Sequence, residues 1–155
     1  MARPGVTQEV GLLGLSMGGE IALTTAALDH RVRAVVAEGV SARTWEDARR
    51  EPNVHPVSYA NEWLIFRLVP LLAPDAEPIP LVEAVRQIRA PVLLIAGRPA
   101  NETRLSRLYS EIAPGVVNLW SLPDTPHTGA IRTHPGEYRE RVVEVFDAAL
   151  LGGEE

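Results

Sequence analysis

Short apolar runs alternate along the chain with stretches whose apolar positions recur at helical spacing. Val10–Leu15 (VGLLGL) has the pattern of a buried strand, and Met17–Leu28 follows it as a helix. Arg33–Ala37 (RAVVA) and Pro91–Ala96 (PVLLIA) are near-continuously apolar, as strands are when both faces of a parallel sheet are covered. Leu105, Leu108, Tyr109 and Ile112 fall at i, i+3, i+4 and i+7, one stripe of an amphipathic helix. Val116–Trp120 reads as a fourth strand. Pro135, a good first-turn residue, opens a last helix with Tyr138, Val142, Val145, Phe146 and Ala149 on its inner stripe. Strands alternating with helices in this way predict an α/β protein with about four parallel strands and flanking helices.

The stretch 41–90 breaks this rhythm. It holds Pro52, Pro56, Pro70, Pro74, Pro78 and Pro80, two of the three tryptophans, and an apolar patch from Tyr59 to Val69. A connection this long is usually functional, often a lid, so 41–90 is read as a cap-like insertion in a single domain spanning 1–155. At 155 residues, one domain is comfortable and two are not.

Composition removes several kinds of chemistry. Fifteen basic residues against 20 acidic ones give a net charge of −5, which disfavours binding a nucleic-acid backbone. There is no Cys and no Lys, which excludes thiolate metal sites, cysteine nucleophiles, Ser-Lys dyads and lysine Schiff bases. The four histidines (His30, His55, His127 and His134) show no metal-ligand spacing, so neither a metal nor a cofactor is expected. No segment reaches the ~18 apolar residues of a membrane span; Trp63–Ala73 is broken by Arg67 and Pro70. Glu9 and Glu20 bracket the only apolar stretch near the start, so no signal peptide and a cytoplasmic location are expected.

Gly14-Leu15-Ser16-Met17-Gly18 is a GxSxG motif with a strand running into it and a helix leaving it. That context is the one a nucleophile elbow requires. A tight strand-to-helix turn would push the Ser16 hydroxyl above the sheet, with a helix N-terminus beneath to favour negative charge. Gly14 and Gly18 are expected to be glycine because side chains there would clash across the turn. A serine nucleophile needs a base, and His127 lies in the loop after the fourth strand, at the end of the sheet where such loops gather. His134, just before Pro135, reads as a helix-start residue.

These motifs in this order, with Arg-Ala-Val-Val-Ala, Ala-Pro-Val-Leu-Leu-Ile-Ala-Gly and Pro-His-Thr-Gly, resemble the C-terminal half of an α/β-hydrolase from about Val10 to Leu150. The resemblance implies a partial α/β-hydrolase fold with a helical cap insertion. It implies Ser16 as nucleophile, His127 as base, and a small acyl substrate (ester, amide or thioester) hydrolysed through an acyl-enzyme. The triad acid departs from the usual Asp: the loop after the third strand reads Gly97-Arg98-Pro99-Ala100-Asn101-Glu102. Glu102 is the nearest carboxylate there, though a first-turn glutamate is also what a helix dipole favours. Glu38, closing the second strand, is the reserve acid, and Asp124 reads as a turn residue.

The Met17 N–H is the expected oxyanion donor. In α/β-hydrolases a loop from preceding strands supplies another, and only Met1–Glu9 precede the elbow strand here. The alternative reading is therefore a catalytically incomplete half that assembles with a complementary N-terminal half or as a homodimer. The elbow strand would be a sheet edge, leaving Leu12, Leu13 and Ile21 exposed.

Overall fold

The structure, a computed structural model, describes residues 9–51, 56–72 and 78–152. Pro52, His55, Pro74 and most of the segment before the first strand lie outside the described residues. The elements are β1 (Val10–Leu15), α1 (Met17–Leu28), β2 (Val32–Glu38), α2 (Trp45–Ala48), α3 (Pro56–Leu72) and α4 (Leu81–Gln87). They continue with β3 (Val92–Ala96), α5 (Ala100–Ile112), β4 (Val117–Ser121), α6 (Ala130–Thr133) and α7 (Pro135–Leu150). The four strands form one parallel sheet in the order β1-β2-β3-β4.

Sequential strand order fixes the layers. Right-handed crossovers between neighbouring parallel strands put their connecting helices on one face. α1, α4 and α5 share that face, burying Leu23, Val85, Leu105 and Tyr109 against Val35 and Leu94. The next residues along β2 and β3 point the other way, where Val36, Leu93 and Ile95 meet Trp120 and Tyr138 on the side of α6 and α7. This alternation explains the unbroken apolar runs of β2 and β3. The last helix is only half-inserted: Tyr138 is buried, while Val142, Val145 and Phe146 are partly exposed. Phe146 comes close because Gly11 has no Cβ, which would stand 2.5 Å from the ring.

The range 41–90 is not one cap. α4 belongs to the main core, with Leu81, Val82, Ala84 and Val85 fully buried, because its Leu-Val-x-Ala-Val spacing presents one continuous apolar face to α1 and α5. α2 is fixed to it by Asp47, a buried carboxylate that accepts from the Thr44 N–H (3.0 Å) and the Val82 N–H (2.9 Å). This reciprocal Thr44–Asp47 capping box satisfies the orphan donors of a very short helix. α3 alone stands off the core, with Trp63, Leu64, Ile65 and Leu68 about half exposed.

Register sets where the chemistry gathers. Leu15 pairs with Glu38, Glu38 with Ile95, and Ala96 with Ser121, so the four strands end at one level. The loops that follow them emerge together at the carboxyl end of the sheet, the usual ligand side of an open parallel sheet.

The elbow glycines are not equivalent, which corrects the sequence expectation. A Cβ on Gly14 would lie 2.3 Å from the Gly18 carbonyl oxygen, whereas one on Gly18 meets nothing within 4 Å. Gly14 sits at the end of a buried strand with helix backbone directly over it; Gly18 sits on the open side of α1. Gly14→Ala should therefore destabilise the fold by about 1–3 kcal/mol in urea denaturation. Gly18→Ala should be neutral or stabilising by up to about 1 kcal/mol, since alanine is the better helix former.

Candidate active site

Ser16 is the single residue between β1 and α1, held at φ 53° and ψ −126°. That conformation costs a non-glycine residue about 1–3 kcal/mol and persists only where its surroundings fix it. The Ser16 N–H donates to the Glu38 carbonyl (2.8 Å), and the Ser16 carbonyl accepts from Gly19 (2.9 Å) and Glu20 (3.3 Å). The strained turn is thus tied to β2 on one side and to α1 on the other. The Met17 N–H, first in the helix, has no acceptor among the described residues, as the opening turn of a helix dictates.

His127 reaches this serine from the loop after β4. The loop is pinned by Leu122 N–H to the Ala96 carbonyl (2.8 Å) and by Arg98 N–H to the Thr125 carbonyl (2.7 Å). Thr128, next to the histidine, takes a φ of 51°. His127 Nε2 lies 3.1 Å from Ser16 Oγ, and Nδ1 lies 2.8 Å from Glu102 Oε2. An ionised carboxylate can only accept, so with Glu102 as carboxylate the proton between them belongs to Nδ1, and a neutral ring then presents its Nε2 lone pair to the serine hydroxyl.

Glu102 occupies the first turn of α5, and its carboxyl is hydrogen-bonded to His127. It is 1% exposed, and its other oxygen accepts the Gly97 N–H. Thr103 Oγ1 donates to the Gly97 carbonyl (2.9 Å), closing the loop between β3 and α5. A rigid, buried carboxylate fixes the imidazole; the ring itself keeps a side-chain exposure of 45%.

The reserve acid, Glu38, is placed differently. It is buried at the end of β2, and its Oε1 accepts the Ala130 N–H (2.8 Å) rather than bonding to the histidine. Asp124 is an exposed turn residue. His30 lies in the turn before β2, and His134 caps α7 with its ring edge-on to Trp120. Sequence reasoning passed over Gly39. Its φ of 74° and the 2.7 Å that would separate a Cβ from His127 Cε1 make it the floor on which the imidazole rests. A glycine directly after a strand was the available signal, but it is also the signal of any turn.

A cavity of about 160 Å³ opens between α3 and α5, lined by Ser41, Ala42, Ile65, Phe66 and Leu105 together with the polar Glu51, Glu62 and Asn101. A larger cavity, about 490 Å³, lies at the opposite end of the sheet around Ala26, His30, Arg33 and Arg89, away from Ser16. Among the described residues no cluster of three His, Asp or Glu could hold a metal ion, and no helix is long and apolar enough to cross a membrane.

No protein-family model and no curated protein sequence matches the chain. Solved structures do. The esterase Pf2001 of Pyrococcus furiosus matches with a TM-score of 0.65 at 24% identity, over 93% of this chain and 55% of that one. The acylaminoacyl peptidase of Pyrococcus horikoshii matches with a TM-score of 0.64 at 17% identity, over 96% of this chain and 25% of that one. MenH from S. aureus matches with a TM-score of 0.59 at 15% identity, over 89% of this chain and 68% of that one. The chain spans about half the length of the esterase it matches. What the matches establish is the fold: four parallel strands and flanking helices of a partial α/β-hydrolase.

Burial at the elbow has a consequence for pH. Glu20, one turn beyond Ser16, accepts from the Ser41 hydroxyl (3.0 Å), yet burial pushes its carboxyl above the ordinary value of 4.5. A group raised in the folded state stabilises the fold fully below its unfolded value, and that stability is lost as pH climbs through the folded value. Glu20→Gln stays neutral and keeps an acceptor for Ser41. Its unfolding free energy relative to wild type should therefore rise as pH is raised above the ordinary carboxylate value of 4.5 in urea titrations.

Proposed function

We propose that this chain, which has the α/β-hydrolase fold over about half the length of the esterase it matches, carries a serine acyl-hydrolase site acting on an ester, amide or thioester. The observation that carries the reading is the unbroken hydrogen-bonded series Ser16 Oγ, His127 Nε2, His127 Nδ1, Glu102 Oε2, with Ser16 on a strained elbow. Each link has a chemical task. His127 Nε2 takes the hydroxyl proton as Ser16 Oγ bonds to the substrate carbonyl carbon, and the carbonyl π electrons move onto oxygen. Glu102 stabilises the imidazolium so formed and keeps the ring in the tautomer that can accept at Nε2.

The Met17 N–H is the donor for the resulting oxyanion, supported by its free hydrogen at the start of α1. Collapse of the tetrahedral adduct expels the leaving group, which takes the proton from Nε2. Water then repeats the sequence on the acyl-serine, with His127 again as base. The small cavity between α3 and α5 offers apolar wall from Ile65, Phe66 and Leu105 for part of the substrate.

A fluorophosphonate probe tests this directly. Intact mass should gain one adduct, mapping to Ser16, and Ser16→Ala should abolish it. Glu102→Gln should slow labelling at least ~100-fold, and by more than Glu38→Gln does, because a neutral amide cannot stabilise the imidazolium. Equal labelling of the Ser16→Ala protein would refute the assignment.

A second reading is favoured by the open edge of the sheet. β1 has a strand on one side only among the described residues; Val10, Leu13 and Leu15 on it and Ile21 on α1 are about half exposed, and Met17 more so. Leu12, expected to be exposed, instead packs against the core. We propose that this edge takes a further strand, from a complementary N-terminal half or a second copy of the chain. Such a partner would cover the apolar face and bring the second oxyanion donor. One missing donor costs ~100- to 1000-fold in turnover. The isolated chain should self-associate in light scattering across a concentration series, and Leu13→Glu should shift it toward monomer. A monodisperse wild-type monomer would count against this reading.

A further inference from the structure

Glu38 ends β2 between the loops that carry Ser16 and His127. Its main-chain oxygen accepts the Ser16 N–H (2.8 Å) while its side-chain Oε1 accepts the Ala130 N–H (2.8 Å), three residues past His127. The next residue, Gly39, donates its N–H to the Ile95 carbonyl (3.0 Å), so β3 holds the same joint. The His127 ring packs directly on this backbone, at the spot where a Gly39 Cβ would stand. One residue thus touches the elbow with its main chain and the histidine loop with its side chain.

The carboxyl is an expensive way to make that joint. Glu38 is 2% exposed, and its Oε2 has no partner among the described residues. A buried polar atom left unsatisfied costs about 1–3 kcal/mol, so an apolar side chain would be cheaper if only packing were at stake. The titratable groups facing the carboxyl are Glu102 on α5, His127, and Tyr138 on α7. Burial pushes Glu38 above the ordinary carboxylate value, the Ala130 N–H opposes that, Glu102 adds to it, and His127 opposes it.

We propose that Glu38 is a positioning residue for the reactive chain: it registers the Ser16 turn against the His127 loop, and its ionised form favours positive charge on the His127 ring alongside Glu102. The proposal rests on the reading of Ser16, His127 and Glu102 given above. When the Ser16 proton moves to Nε2, two carboxylates then face the imidazolium, Glu102 through the bond at Nδ1 and Glu38 through its field. Removing the Glu38 charge should therefore make the imidazolium harder to form.

Carbethoxylation by diethyl pyrocarbonate reads this without requiring the serine to react, since only a neutral imidazole is modified. The rate at His127, followed by peptide mass against pH, should have its acid limb displaced downward by about 0.5–1 pH unit in Glu38→Gln. That variant keeps an oxygen for the Ala130 N–H and loses only the charge. Glu38→Ala loses both, so its plateau rate of Ser16 phosphonylation should fall at least about tenfold below that of Glu38→Gln. Should Glu38→Ala fail to fold, Gly39→Ala supplies the positioning arm by pressing a Cβ against the ring, with the same plateau loss expected relative to wild type. Coincident acid limbs for wild type and Glu38→Gln would overturn the electrostatic role, and undiminished plateaus in the positioning arm would overturn the joint. A displaced limb in Glu38→Gln together with a wild-type protein that never phosphonylates would uphold the charge effect and defeat the serine assignment instead.

Discussion

The parallel pairing of β1 with β2 at their carboxyl ends is the constraint on which the site depends. Leu15 and Glu38 are register partners, and the Ser16 N–H closes the ladder onto the Glu38 carbonyl one step later. That bond holds the chain as it turns with a positive φ directly from strand into helix. Gly14 is indispensable to the same turn, since helix backbone occupies the space its side chain would take. Strain at Ser16 is a local cost offset by sheet pairing and by the buried face of α1 behind it, where Leu23 is fully enclosed.

From that fixed point the other groups follow by topology. Strands ending at one level send the β3–α5 loop and the loop after β4 to the same end of the sheet as the elbow. Glu102 then needs only the first turn of α5, and His127 only a loop pinned to Ala96 and Arg98, to complete the hydrogen-bonded series. No residue of the series comes from α3, the element least attached to the core. The cavity wall that α3 contributes through Ile65 and Phe66 is therefore separate from the hydrogen-bonded series.

Much of this was legible in the sequence because it is written in local patterns. The apolar runs of β2 and β3 announce strands covered on both faces, and GxSxG between a strand and a helix announces the turn. Glu102 was legible as a candidate only through the α/β-hydrolase resemblance, which places an acid after the third strand, where Glu102 is the nearest carboxylate. Long-range relations were not legible. The Leu-Val-x-Ala-Val face of α4 lies within the cap-like stretch of the sequence, and only packing against α1 and α5 shows it to be core. The open space around Gly18 and the approach of His127 to Gly39 depend on which chain segments happen to be adjacent, and neighbouring residues do not encode that. Among the described residues β1 lies at the sheet edge, as the strand order suggests, yet Leu12 turns inward because period-two alternation directs it to the α1 face.

The central claim is that Ser16, His127 and Glu102 act as one unit aimed at an oxyanion beside Met17. A crystal structure of the fluorophosphonate-treated protein tests it most directly. The account predicts phosphorus bonded to Ser16 Oγ, a phosphonyl oxygen within hydrogen-bond reach of the Met17 N–H, and the Glu102–His127 bond intact. An adduct on another residue, or one on Ser16 with its oxygen turned away from Met17, would contradict it.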